Sequence, residues 1–182
     1  RVENSTRLVG FVGLNEAVES FAGKMMHEDS KALGFAEEVL NYIHNGVRKS
    51  MRKPETRPVA AMIPCFESAK RLAELDVERY GWGRVRAKGS KEQPFYTDLV
   101  GVPTQESVAL EERLRIEDRL QQQAPGGHLT VLQLEDEKLT PENLLATTKR
   151  IVTTSRVGLF TYNRNFAYCS RCRKTFSGQQ SK

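Results

Sequence analysis

Apolar residues along the chain fall into short compact runs separated by longer stretches of helical spacing. Leu8-Val-Gly-Phe-Val-Gly-Leu14 is one such run with two glycines, and it reads as a buried strand whose backbone another segment approaches closely. Asn15 follows as the expected cap of a short helix through Phe21. From about Ser30, the residues Ala32, Ala36, Val39, Leu40, Ile43 and Val47 recur at steps of three and four, predicting a longer amphipathic helix that Pro54 brings to an end. Pro58-Val-Ala-Ala-Met-Ile63 predicts a second buried strand and Pro64-Cys-Phe-Glu-Ser68 a turn. Ala69, Leu72, Ala73, Leu75 and Val77 then carry a helix that stops at Tyr80-Gly81.

The basic, glycine-bearing stretch from Trp82 to Gln93 reads as a surface loop, with Phe95-Tyr96-Thr97 returning to extended chain. A helix from Ser107 to Gln122 is dense in Glu and Arg, and its thin apolar edge of Val108, Leu114 and Leu120 predicts an external position. After Gly126-Gly127, the alternation through His128–Leu134 marks a half-buried strand. Thr140-Pro141-Glu142 is a helix start, continued by Leu144, Leu145, Ile151 and Val152. Val157 to Tyr162 is the next strand, Asn163-Arg164-Asn165 a turn, and Phe166 to Tyr168 the returning strand of a hairpin. Strands alternating with helices give the α/β class, without repeats or low-complexity blocks.

Composition narrows the class further. With 182 residues, 38% hydrophobic and 28% charged, the chain suits one domain or part of a larger one and needs no disulfide staples. No apolar run approaches the ~18 residues of a bilayer span, so a soluble protein is expected, and collagenous, disordered and disulfide-scaffold classes are excluded. Lys and Arg number 28 against 23 for Asp and Glu, and this surplus of +5 is spread through mixed-sign segments. Three cysteines, two of them a C-x-x-C, fit a reducing cytoplasm better than an extracellular framework. Arg1 stands first with no leader after it, and the chain stops at Lys182 without a second cysteine pair, so both ends are expected to be cut.

Cys169-Ser-Arg-Cys172 after a hairpin resembles half a zinc knuckle, two thiolates of the four a tetrahedral structural zinc takes. A redox dithiol, or two cysteines with no special chemistry, are the alternatives. Cys65 sits where a strand passes into a helix; buried, it is inert, while at the helix start its thiol pKa would fall. Glu67 and Ser68 suit the first turn as caps, and the backbone N–H groups there suit an anionic group such as a phosphate. His27, His44 and His128 show no metal spacing. Arg84, Arg86, Lys88 and Lys91 read either as a solvated loop or, with Arg171 and Arg173, as a nucleic-acid-binding surface of a zinc-ribbon module.

Five segments occur in order: Gly13-Leu-Asn-Glu16; Pro64-Cys-Phe-Glu-Ser68 running into Arg71-Leu-Ala-Glu-Leu-Asp76; Pro94-Phe-Tyr-Thr97; Phe160-Thr-Tyr-Asn163; and Phe166-Ala-Tyr-Cys-Ser-Arg-Cys172. Together they resemble the large subunit of the anaerobic (class III) ribonucleoside-triphosphate reductases, over almost the whole chain. The resemblance implies part of a ten-stranded glycyl-radical-type α/β barrel, the C-terminal portion of its catalytic domain in residues 1–162, ending in a β-hairpin. Residues 163–182 would begin a truncated C-terminal zinc segment, with Cys169 and Cys172 as half of its structural zinc site. The family reduces ribonucleoside triphosphates to deoxyribonucleoside triphosphates through a thiyl radical raised by a glycyl radical, and both radical-bearing residues would lie outside this chain, leaving it inactive alone. The loop Pro64, Cys65, Phe66 and Ser68 would face substrate phosphates, with Glu67 as a possible active-site carboxylate. The family has one residue where Cys65 and Phe66 stand here. ATP or deoxynucleotide effectors would bind outside the chain. A radical-SAM activating protein and a second subunit of a homodimer are the implied partners, with neither membrane nor nucleic acid.

Overall fold

The computed structural model describes residues 5–51, 57–104, 106–134 and 140–177. Strand β1 (Thr6–Val9) leads into helices α1 (Leu14–Ala22) and α2 (Ser30–Lys49), which carry the chain over to β2 (Arg57–Ala60). β1 and β2 are parallel, from Thr6 opposite Arg57 to Val9 opposite Ala60, as a helical crossover requires. Asp29 caps α2 by accepting from the Lys31 N–H at 2.7 Å, and Arg48 and Lys49 complement the dipole at its other end. Ala32, Leu33, Ala36, Leu40 and Val47 are buried, which is the inward stripe the spacing predicts. α2 packs on β2.

β1 departs from expectation. All four of its residues are exposed, Leu8 at 51%, while its partner β2, against which α2 packs, buries Ala60. Asn15 does not cap α1 either: Gly13 holds that position at φ 78°, a left-handed conformation that favours glycine, and Asn15 is buried as the second residue of the helix. Its amide donates to the carbonyls of Gly101 at 3.0 Å and Leu99 at 3.4 Å.

Helix α3 (Phe66–Tyr80) follows β2, and a 3₁₀ turn at Trp82–Arg84 precedes the short antiparallel pair β3 (Lys88–Gly89) and β4 (Pro94–Phe95). The expected loop is thus partly a hairpin. Helix α4 (Leu110–Gln121) was expected outside and buries one face in the core. Ile116 widens its apolar stripe, and Ile116 and Leu120 are fully buried beside Val18, Met26, Leu33 and Leu40. Arg113 and Glu117 share that inward face with their charges satisfied internally. Arg119 grips Glu37 of α2 with two bonds of 2.5 and 2.6 Å, a partly exposed pair that adds about 0–1 kcal/mol.

β5 (Thr130–Gln133), α5 (Pro141–Thr154) and β6 (Phe160–Asn163) form a second parallel crossover, with Thr140 capping α5 by accepting from Asn143 N–H at 3.2 Å. Gly126 N–H donates to Ala60 O at 2.9 Å and Met62 N–H to Gly127 O at 2.8 Å, joining the approach to β5 onto the end of β2. A Cβ on Gly126 would lie 2.8–2.9 Å from Val59, Ala60 and Ala61, so only glycine permits that approach. β7 (Phe166–Cys169) pairs antiparallel with β8 (Lys174–Ser177). The terminal hairpin is therefore β7–β8; the expected return of Phe166 onto the preceding strand does not occur, and among the described residues β6 pairs with β5 in parallel. Among the described residues the strands form four two-stranded sheets without a closed barrel, and no helix is long and apolar enough to cross a membrane.

Leu120→Ala should cost about 2–5 kcal/mol in urea unfolding of the full-length protein, whereas Arg119→Ala should cost under about 1 kcal/mol. Equal losses would contradict the interior placing of α4.

Candidate functional site

Pro64 cannot donate to a strand ladder, and the chain leaves β2 and turns at Cys65 into α3. Cys65 holds the cap position without a side-chain cap bond, and Ala69 N–H donates to Cys65 O at 3.0 Å. Phe66, Glu67 and Ser68 form an exposed first turn, so this end of α3 presents N–H groups and the positive end of the dipole outward. Glu67 is the first-turn acid and lies at the surface. Pro64, Cys65, Phe66, Glu67 and Ser68 thus sit together at one helix end. Phe66 rests against Phe95, ring centroids 5.7 Å apart. Cys65 N–H donates to Asp98 Oδ2 at 3.1 Å, and burial together with the Asp98 charge pushes the Cys65 thiol above its ordinary range. That thiol is a poor nucleophile at neutral pH.

The segments around the loop lock onto one another. Gly13 N–H donates to Thr97 O at 2.9 Å, and the buried Glu16 accepts from Thr97 Oγ1 at 2.5 Å and Thr97 N–H at 3.1 Å. Tyr96 N–H donates to Ala69 O at 3.4 Å, and its hydroxyl donates to Asp76 at 2.7 Å. Burial, that bond and the charges of Asp76 and Glu16 raise the Tyr96 pKa far above its ordinary value, so the phenol keeps its proton. A cleft of about 390 Å³ lined by Gly13, Glu16, Asp76, Tyr80, Arg84 and Tyr96 lies beside these bonds. A hollow of about 680 Å³ lies elsewhere, between α4 and α5, and none of the candidate residues lines it. Sequence reasoning missed Asp98 and Glu117 and considered His128 only as a metal ligand; a signal existed for Glu117, which falls three residues from both Leu114 and Leu120 on the inward face of α4.

Cys169 ends β7 and Cys172 lies within the turn to β8, neither in a disulfide. Arg173 N–H closes the turn on Cys169 O at 2.8 Å, with Arg173 in the left-handed region at φ 55°. The Cys172 backbone N–H, then the Cys172 side chain and the Arg171 N–H, lower the Cys169 thiol pKa. Thiolate-favouring backbone donors suit a metal ligand. Among the described residues no group of three or more His, Cys, Asp and Glu is placed to hold a metal ion.

The family model described as anaerobic ribonucleoside-triphosphate reductase matches residues 1–182. The chain belongs to this family. Its fold is similar to that of the anaerobic ribonucleotide reductase from Thermotoga maritima in complex with dATP and CTP, at TM-score 0.70 and 19% identity over 94% of this chain and 27% of that one. The form from the same organism with glycerol in the active site gives TM-score 0.69 at 19% identity, over 94% of this chain and 26% of that one. Another solved anaerobic ribonucleotide reductase gives TM-score 0.74 at 19% identity, over 97% and 27%. The chain spans about a quarter of the length of these relatives. No curated protein matches. For this reductase-family chain the mixed α/β fold is the one expected.

In metal-free protein at pH 7, iodoacetamide should label Cys169 about tenfold or more faster than Cys65, since one thiol is lowered and the other raised. Peptide mass mapping checks this; faster labelling of Cys65 would contradict the stated environments.

Proposed function

We propose that this chain is the C-terminal portion of the catalytic barrel of an oxygen-sensitive glycyl-radical enzyme that reduces ribonucleoside triphosphates to deoxyribonucleoside triphosphates. The family match over the full 182 residues carries the reading. The exposed edge of β1 and the exposed Leu72 and Leu75 of α3 suit a segment that packs within a larger barrel. Residues 1–162 would belong to that barrel and 163–182 to a zinc-binding segment.

The N–H groups at the start of α3 would receive substrate phosphate, held by Pro64, Cys65, Phe66 and Ser68, because a helix N-terminus offers aligned donors and positive potential. Glu67 at the same turn would hold or move a proton at its carboxylate. Cys169 and Cys172 would supply two of the thiolates around a structural zinc, the remainder coming from outside this chain; bound there, zinc would fix the hairpin. The thiyl cysteine, the glycyl radical and the ATP or deoxynucleotide sites would likewise lie outside it, so the segment alone would not turn over. A radical-SAM activating protein, a homodimer and a cytoplasmic setting complete the proposal. The rival nucleic-acid module is disfavoured by family membership and because Lys88 of the basic loop bonds Glu19 at 3.1 Å.

The test uses the full-length protein, activated without oxygen, with deoxynucleotide formation measured. Glu67→Gln should lower kcat about 100-fold or more. Full-length protein that reduces no ribonucleoside triphosphate would sink the proposal. Metal analysis should find about one zinc per chain, lost in Cys169→Ser.

A further inference from the structure

The two N–H groups that bracket Pro64 are held by different segments: Met62 donates to Gly127 O at 2.8 Å and Cys65 to Asp98 Oδ2 at 3.1 Å. Both supporting segments are fastened to one side chain. Glu117, 2% exposed on α4, accepts from Val102 N–H at 3.1 Å through Oε1. Its Oε2 accepts from His128 Nε2 at 2.6 Å and from Thr130 Oγ1 at 3.3 Å. His128 is buried with no partner on Nδ1 among the described residues, so its ring donates through Nε2 to Glu117. A Cβ on Gly101 would fall inside the Glu117 carboxylate, so the backbone there is pressed against it. Segments 98–102 and 127–130 therefore share one carboxylate as an anchor.

We propose that Glu117, acting with His128, is the positioning residue of the Pro64–Ser68 loop. It touches no substrate; it fixes the two acceptors, Gly127 O and Asp98 Oδ2, that set where the loop leaves β2 and enters α3. Hydrogen bonds to a buried carboxylate are the strong kind, and losing them loosens both supports at once. The functional half of the proposal rests on the loop facing substrate.

Hydrogen exchange of the full-length protein tests the structural half. In Glu117→Gln the Met62 and Cys65 amides should exchange about tenfold faster, while α2 amides such as Leu40 change less than about twofold. His128→Gln cuts only the arm to Gly127, so Met62 should accelerate more than Cys65. Uniform acceleration throughout the protein, or none at Met62 and Cys65, overturns the proposal. Kinetics separates the two readings: the KM for ribonucleoside triphosphate should rise about tenfold in Glu117→Gln with kcat changed less. Local acceleration with KM and kcat both unmoved upholds the positioning role and removes the substrate-facing reading of the loop.

Discussion

A carboxylate taken out of water loses its hydration and has to recover it from fixed donors. Glu117 recovers it from Val102, His128 and Thr130, which lie on two segments apart from α4 in sequence, and this need for donors decides how those segments meet. The neighbouring Arg113 faces the same constraint with the opposite sign. Its guanidinium donates to the carbonyls of Val102, Pro103 and Glu106 at 2.6, 3.2 and 2.9 Å. Burial lowers its pKa while the charges of Glu117 and Glu106 oppose the shift. The chain from Leu99 to Glu106 is thus held by charged side chains of α4 as well as by apolar packing.

The same constraint explains what could be read from the sequence. α2 and α5 were legible because a helix with one apolar face and local caps needs no knowledge of its surroundings: Asp29 and Thr140 cap their own helices. α4 was misread because Arg and Glu count as surface residues in any pattern argument, and Arg113 and Glu117 are buried only through partners remote in sequence. β1 was misread for the converse reason. A strand of apolar residues signals a buried sheet, yet β1 is an edge in the described fold, and pattern alone cannot count the layers on a sheet.

The loop Pro64–Ser68 was legible as a group because its residues are consecutive and a proline followed by a helix start fixes the geometry locally. Its supports were not. Asp98 reaches Cys65 N–H, and Asn15 reaches Gly101 O, across long stretches of chain. The expected cap role of Asn15 failed because Gly13, free to take a positive φ, starts the helix first and leaves the Asn15 amide to bond elsewhere. The cysteine turn was placed correctly in sequence but on the wrong hairpin, since nothing in Phe160–Asn163 announces that β6 pairs with β5 in parallel.

Gly10–Gly13 and Pro64–Ser68 leave the carboxyl ends of adjacent parallel strands, the edge at which open α/β sheets bind ligands. Several carboxylates gather there, and their partners sort them. Glu16 accepts from Thr97, Asp76 from Tyr96 and Asp98 from the Cys65 amide, so each is committed to holding the fold. Each of these bonds fixes a neighbouring segment. Glu67 differs, standing exposed in the first turn of α3 beside uncapped N–H groups. That exposed placing, free of a role in holding a neighbouring segment, is what supports the proton-carrying role proposed for it.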